Sequence, residues 1–281
     1  MPRMFIFGLG YTAQVIAARL EARGWEIVST GHEGTLAFDD EGSVRVAITD
    51  ADHVLSSVPP GREARGEPLD AVLERYGDAL KGKALSYLSS TGVYGDAGGA
   101  WVDESAPVGT GRRTTRSEAD AAWLTLGARV YRLPGIYGPG RSMLERVVEG
   151  RAHRIDLPGQ VFSRVHVEDI AAGVIAGLQA PPGAYNLADD LPCSQNRVVE
   201  EACRLLGIAP PPLRTLEEAG LSPMARGFYA ENRRVANGKA RRVLGWRPRY
   251  PDYAAGLRAL RATMSPTIAS MAPETATGVQ R

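Results

Sequence analysis

Phe5-Ile6-Phe7-Gly8-Leu9-Gly10-Tyr11-Thr12-Ala13 runs from an apolar stretch, through two glycines, into an amphipathic one. Gly8 permits a tight turn, Gly10 lets backbone amides approach a pyrophosphate, and Ala13 allows a helix to pack closely. The start of that helix would face the phosphates with free N–H groups and the positive end of its dipole. A bare Gly-x-Gly-x-x-Ala carries little information, but directly after a strand and opening a helix it predicts a dinucleotide cradle. The candidate cofactor residues are Gly8, Gly10, Tyr11, Thr12 and Ala13, joined by Val58 and Pro59 after a later strand.

Working outward, short apolar runs alternate with amphipathic stretches, which predicts βαβ units and a doubly wound parallel sheet of the Rossmann type, in the α/β class. Strands are expected at 3–7, 26–29, 44–47, 53–57, 84–88 and 129–133, and helices at 12–23, 66–80 and 115–126. In the first helix Val15, Ile16 and Leu20 make a stripe of helical period. After Tyr137-Gly138-Pro139-Gly140 the pattern changes. A short helix is expected at 143–149, a strand at 165–167 feeding a helix at 168–178, and a last strand at 184–187. Residues 1–140 and 161–188 read as the dinucleotide-binding core, and 141–160 with 189–263 as a smaller C-terminal lobe for substrate. Residues 264–281 mix Ser, Thr, Ala, Pro and Gly without period and read as a disordered tail.

Composition narrows the function. The 281 residues are 44% hydrophobic and 23% charged, the balance of a soluble globular protein. The 33 basic and 32 acidic side chains nearly cancel, which argues against a nucleic acid or a membrane as partner and leaves a small-molecule substrate. Two cysteines and four scattered histidines offer neither a disulfide framework nor metal-ligand spacing. The N-terminus lacks a signal-peptide core, and no apolar run approaches the ~20 residues that span a bilayer, so a cytoplasmic location is expected.

Ser89-Ser90-Thr91-Gly92-Val93-Tyr94-Gly95 carries the next signal. With Trp101-Val102-Asp103-Glu104, Arg132-Leu133-Pro134-Gly135-Ile136-Tyr137-Gly138-Pro139-Gly140, Arg164-Val165-His166-Val167-Glu168-Asp169-Ile170, Tyr185-Asn186-Leu187-Ala188-Asp189 and Leu244-Gly245-Trp246, it resembles the extended short-chain dehydrogenases of the NAD-dependent epimerase/dehydratase kind. The resemblance implies that Ser90 orients a substrate carbonyl or alcohol. It also implies dimerisation through helices equivalent to 66–80 and 115–126, so a homodimer is expected. That family carries Tyr-x-x-x-Lys some twenty residues later, a tyrosine acid/base with a lysine lowering its pKa. Here the tyrosine should fall near Arg112 or Arg113 and the lysine at Arg116. The chain has three lysines, Lys81, Lys83 and Lys239, none at that spacing. Arginine stays protonated and cannot shuttle a proton, although it can bind phosphate or stabilise an oxyanion.

Three readings of the serine cluster stay open. Ser90 and Thr91 cap backbone at a strand end, or one of them binds a substrate oxygen, or Tyr94 serves as a substitute acid. Arg116, Arg141 and Arg164 are the candidate substrate-binding residues, since a guanidinium fork grips phosphate oxygens bidentately. Arg233 and Arg234 are further candidates by resemblance. His166, between two valines, is expected to support packing, and Asp169 to sit at a helix N-terminus as a charge interaction. At the end of the second strand Ser29-Thr30-Gly31-His32 lacks a carboxylate, which points to NADP(H) rather than NAD(H), with Thr30 or His32 bonding the 2′-phosphate. Two functions fit. One is an NAD(P)-dependent oxidoreductase or epimerase/dehydratase acting on a carbonyl or alcohol, such as that of a nucleotide sugar. The other is a dinucleotide-binding redox sensor or scaffold without turnover.

Overall fold

Parallel strands need long crossovers, and the first half of the chain supplies them as helices. The computed structural model describes residues 1–61, 69–111 and 114–264. Its elements begin β1 (Arg3–Phe7), α1 (Tyr11–Glu21), β2 (Glu26–Ser29), α2 (Glu41–Asp50), β3 (His53–Ser56), α3 (Ala71–Tyr76) and β4 (Ala84–Ser90). A 3-10 turn at Thr91–Tyr94 precedes β5 (Trp101–Val102), α4 (Thr114–Thr125), β6 (Arg129–Leu133) and β7 (Gly135–Tyr137). Then come α5 (Met143–Val148), β8 (Arg154–Ile155), β9 (Arg164–His166), α6 (Val167–Ala176) and β10 (Gly183–Asn186). The C-terminal part holds α7 (Gln195–Leu206), β11 (Leu213–Arg214), α8 (Pro223–Phe228), β12 (Arg234–Val235), α9 (Gly238–Val243) and α10 (Tyr253–Thr263).

Six strands form one parallel sheet in the order β10-β6-β4-β3-β1-β2. The chain leaves β1 for β2 on one side and then crosses to β3 on the other. The carboxyl ends of β1 and β3 therefore flank a topological switch point, where open α/β sheets bind ligands. The doubly wound architecture is as the sequence led us to expect.

Period-two alternation divides the core between the two faces. Met4, Ile6, Leu55, Tyr131 and Leu133 pack with Ile16, Ala17 and Leu20 of α1, and with Ile170 and Val174 of α6. Phe5, Phe7, Val54, Tyr87 and Val130 pack with Val44 and Ile48 of α2, Val72 and Tyr76 of α3, and Trp123 of α4. Each large apolar side chain buried this way contributes roughly 1.5–3 kcal/mol. A separate apolar cluster joins Leu144 and Val147 of α5, Val198, Val199 and Ala202 of α7, and Leu257 and Leu260 of α10.

Three details differ from expectation. Residues 44–47 are helical, inside α2. Val44-x-Val46-x-Ile48 imitates a strand, but Val44 and Ile48 are buried while Val46 is 62% exposed, which is a helical face. Asp40 fixes the start by accepting from the Ser43 amide, and too few residues remain before β3 for a parallel crossover. The helix expected at 66–80 is described as Ala71–Tyr76, while 62–68 lie outside the described residues. Asp70 caps it, taking the amides of Val72 and Leu73 at 3.0 Å and the Trp123 indole N–H at 2.8 Å. Asp169 does more than answer a helix dipole. Its carboxylate accepts from the amides of Arg249 and Tyr250 at 2.6 and 3.1 Å, and its carbonyl takes the Trp246 indole at 2.9 Å, fastening the C-terminal segment to α6. His166 packs as expected, between Tyr137 and Tyr250, and its Nδ1 also caps α6 by accepting from the Glu168 amide. The proposed tail, 264–281, lies outside the described residues apart from Met264.

The α2 assignment predicts opposite outcomes at two adjacent valines. Val46→Asp should leave the urea midpoint within about 0.5 kcal/mol of the parent, as surface changes do. Val44→Asp, which puts a charge in the apolar core, should abolish cooperative unfolding or lower stability by several kcal/mol. Equal effects at the two sites would return the segment to a strand.

Candidate functional site

The turn between β1 and α1 is held from below. Gly8 has φ +80°, and a Cβ there would lie 3.0 Å from Val58 Cγ2 and 3.2 Å from Ser57 Oγ. Its amide donates to Thr30 Oγ1 at 3.2 Å, its carbonyl accepts from Ser57 Oγ, and the Leu9 amide donates to the Thr30 carbonyl at 2.8 Å. Gly10 is the N-cap of α1, with no side-chain cap, and a Cβ on it would meet nothing within 4 Å. The first-turn amides of Tyr11, Thr12 and Ala13 therefore look into open space that no side chain fills. A pyrophosphate fits this arrangement, because orphan N–H groups and a helix dipole both favour an anion.

That space belongs to a cleft of about 1090 Å³ at the carboxyl edge of the sheet. Gly10, Tyr11, Thr12, Ala13, Pro59, Ser90, Thr91, Arg116, Arg141 and Arg164 all line it. Gly8, Thr30 and Val58 lie beneath the turn and support it. His32 points into solvent, its side chain 99% exposed and 3.7 Å from Glu33. Thr30 is buried and its hydroxyl is engaged with Gly8, so its visible role is to hold the turn.

The serine cluster splits its duties. Ser89 Oγ donates to Asp120 Oδ2 at 2.6 Å, beneath the cleft. Ser90 Oγ accepts the Gly92 amide at 3.1 Å, the capping geometry, yet a hydroxyl has one hydrogen still to give and Ser90 faces the cleft. Thr91 Oγ1 meets no protein partner among the described residues. Tyr94 does not suit the part of substitute acid. Its hydroxyl donates to Asn186 Oδ1 at 2.7 Å and accepts from Arg132 at 3.0 Å, 3% of the residue is exposed, and burial pushes its phenol upward. Arg112 and Arg113 lie outside the described residues.

The opposite wall is cationic. Arg164 is buried and hydrogen-bonds neutral groups: the Phe162 carbonyl at 2.9 Å, the Cys193 carbonyl at 3.2 Å and Gln195 Oε1 at 2.9 Å. Asp189 lies in its field, 2% exposed, with no hydrogen bond of normal geometry to either carboxyl oxygen. Burial pushes that carboxyl up to about 8, and Arg164 opposes the shift. Arg141 lies over the Tyr11 ring, 5.6 Å from its centroid, while Tyr11 Oη donates to the Pro139 carbonyl at 3.1 Å. Neither Arg141 nor Arg146 pairs with a carboxylate among the described residues. Arg233 is committed to structure, bonding the Gly95 carbonyl at 2.6 Å and Glu231 at 2.9 Å. Arg234 bonds the Gly99 carbonyl.

Among the cleft residues that escaped the sequence reading are Ser57, Arg146, His153 and Tyr229. Ser57 was within reach, since it follows β3 at the switch point. His153 and Tyr229 sit in irregular segments far apart in the chain, with no local pattern to link them. No helix among the described residues is long and apolar enough to cross a membrane. No group of three or more His, Cys, Asp or Glu side chains among them could hold a metal ion.

A solved structure from Silicibacter pomeroyi, described as a functionally unknown conserved protein, is 38% identical with a TM-score of 0.80, over 93% of this chain and 99% of that one. The chain belongs to that protein's family. Protein YeeZ of Escherichia coli K12 is 29% identical over 287 residues, 90% of this chain and 97% of its own length. The human epimerase family protein SDR39U1, solved with NADPH, shares the fold at TM-score 0.76 and 16% identity, over 93% of this chain and all of that one. The structural neighbours are NAD-dependent epimerase/dehydratase family proteins. No protein-family profile matches the chain.

Two predictions follow from this geometry. Gly10→Val should fold normally, because its φ of −87° suits any residue and its Cβ meets nothing, yet it should remove pyrophosphate binding. Gly8→Val, at positive φ against Val58, should cost at least about 1–3 kcal/mol of stability. Thermal unfolding and dinucleotide binding measured on both variants would separate the roles, and a Gly10→Val protein that binds like the parent would sink the cradle. The second concerns pH. Asp189 keeps its proton to about 8 when folded, whereas the unfolded carboxyl releases it near about 4. The folded state thus binds the extra proton between those values, so its contribution to stability falls as pH rises. Tm should drop as pH rises from about 4 to about 8, and Asp189→Asn should flatten that slope; an unchanged slope would refute the buried acid.

Proposed function

We propose that the protein is an NADP(H)-dependent oxidoreductase acting on a carbonyl or alcohol in a substrate that carries an anionic group, such as a nucleotide sugar. The observation that carries this reading is the single cleft. The uncapped first turn of α1 forms one of its walls, and Ser90, Thr91 and the cationic side chains of Arg141 and Arg146 open onto the same space.

The amides of Tyr11, Thr12 and Ala13 would hold the pyrophosphate, with Ser57 and Pro59 beside it at the switch point. When bound, the nicotinamide supplies or accepts a hydride. Ser90 has a hydroxyl hydrogen to give a substrate oxygen, and Thr91 a hydroxyl that no described residue bonds. Arg141 and Arg146 suit a phosphate or carboxylate on the substrate, since an unpaired guanidinium gains most from a bidentate anion. The lean to NADP(H) rests on the turn after β2, where Ser29-Thr30-Gly31 places no carboxylate against a 2′-phosphate. Structures on this fold hold NADPH or NAD, so the choice rests on that turn alone.

A sensor without turnover is the second reading. It is favoured by Tyr94, locked away from the cleft, and by Arg116, which lines the cleft where relatives by resemblance carry a lysine.

The test is a titration with NADPH and NADH followed by nicotinamide fluorescence. Methylglyoxal, 9,10-phenanthrenequinone and a 4-keto UDP-sugar are then added in turn. NADPH should bind more tightly than NADH, and one probe should be turned over. Binding without turnover would favour the sensor, and no binding of either nucleotide would remove both readings.

A further inference from the structure

We propose that Tyr229 and His153, facing each other in the C-terminal wall of the cleft, form its proton-transfer pair: Tyr229 protonates the substrate oxygen and His153 relays the proton from water. The proposal rests on the oxidoreductase reading and supplies the acid that reading lacks.

Tyr229 Oη lies 3.3 Å from His153 Nε2, and both residues line the cleft, half-buried. With the hydrogen on Nε2, His153 donates to the phenol and leaves the phenolic hydrogen free to point into the cleft. A chain of contacts connects the pair to Ser90. Ser90 lies beside Leu133 in the sheet, and two residues on, the Gly135 amide donates to the Ser163 carbonyl at 3.1 Å. Phe162, next to Ser163, meets the Tyr229 ring edge-to-face at 5.5 Å. Tyr229, His153 and Ser90 thus line one continuous cleft.

The segment after Tyr229 is pinned. Gln160 Nε2 donates to the Glu231 carbonyl at 2.9 Å, Asn232 Nδ2 to the Gly159 carbonyl at 3.0 Å, and the Val235 amide to Ser163 Oγ at 2.9 Å. A phenol held this way pays little to reach its reacting geometry. Burial raises the phenol, and Arg146 on α5 and Arg164 on β9 pull it back down. Burial lowers His153, with Arg146 adding to it and a bond to the Arg151 backbone opposing, so the imidazole is neutral near pH 7, as a relay requires. The other tyrosines on the cleft lack such a partner. Tyr11 and Tyr137 donate to backbone carbonyls, and Tyr253 has no hydrogen-bonded acid or base among the described residues.

In the reducing direction the substrate's carbonyl carbon accepts a hydride from the reduced nicotinamide and the C=O π pair moves to oxygen. That oxygen takes the proton of Tyr229 Oη. The tyrosinate regains one from His153 Nε2, and His153 takes one from water at Nδ1. The alcohol leaves reduced by two electrons, the dinucleotide oxidised by two.

The test uses the full chain, NADPH and whichever of the three probes is turned over. Tyr229→Phe should lower kcat by about 100-fold or more, the usual weight of a positioned acid, with NADPH affinity and KM for the probe within about threefold. His153→Gln should lower kcat less and remove a limb of its pH profile. In the free protein, the His153 ring titration followed by NMR should move in Tyr229→Phe. Turnover of Tyr229→Phe within about threefold of the parent, or a His153 titration that ignores Tyr229, would overturn the assignment and leave the oxidoreductase standing. Failure of the parent to turn over any probe would defeat both, and that would be seen before any substitution is made.

Discussion

Asp120 and Arg132 meet almost without water. Their side chains are 1% and 3% exposed, with Arg132 Nη2 2.7 Å from Asp120 Oδ1 and Nε 3.1 Å from Oδ2. Taking two such ions from water costs several kcal/mol each, and only good geometry with every remaining group satisfied returns it. Here Ser89 gives its hydroxyl to Asp120, Arg132 gives its third nitrogen to Tyr94, and Tyr94 passes its proton to Asn186. One network thereby ties α4, β6, the end of β4 and the end of β10 together. Its position matters more than its energy. Ser89 and Tyr94 are fixed below the cleft, so Ser90 and Thr91, between them, are presented to it from a rigid base.

The same constraint explains a sequence motif that first looks catalytic. A tyrosine three residues after a cleft threonine invites a chemical role, yet its hydroxyl completes a buried pair and cannot be released cheaply. Removing it would leave Arg132 one acceptor short in a low-dielectric interior, where an unmet charge is expensive. Tyr94 serves the site by keeping the β4 end still, which is a positioning role.

Legibility followed the range of the interactions. The glycine turn was readable because Gly8, Gly10 and Ala13 each answer a local demand: a positive φ, an open approach and a close helix. The sheet was readable because alternating faces leave a period of two in β1, β3, β4 and β6. The failure at α2 came from an accidental period, Val44-x-Val46-x-Ile48, that only burial could resolve. Asp169, in the first turn of α6 as expected, was read only in part for a different reason. Its helix-terminal position is local, whereas its partners Arg249 and Tyr250 lie some eighty residues away. Thr30 illustrates the third kind of limit: a hydroxyl at the right strand end is legible, but which of two neighbours it bonds is not.

The two walls of the cleft were therefore unequally visible. The sheet side is built from residues close in sequence at strand ends, where backbone geometry leaves few alternatives. The other side is assembled from 141–164 and 225–235, very short helices and strands joined by irregular turns and cross-linked by bonds such as Asn232 accepting the Val161 amide at 3.2 Å. Chemistry placed there carries no spacing rule, because nothing fixes the number of residues between His153 and Tyr229. The proposed proton donors, Tyr229 and His153, belong to that second wall, which sequence patterns describe least.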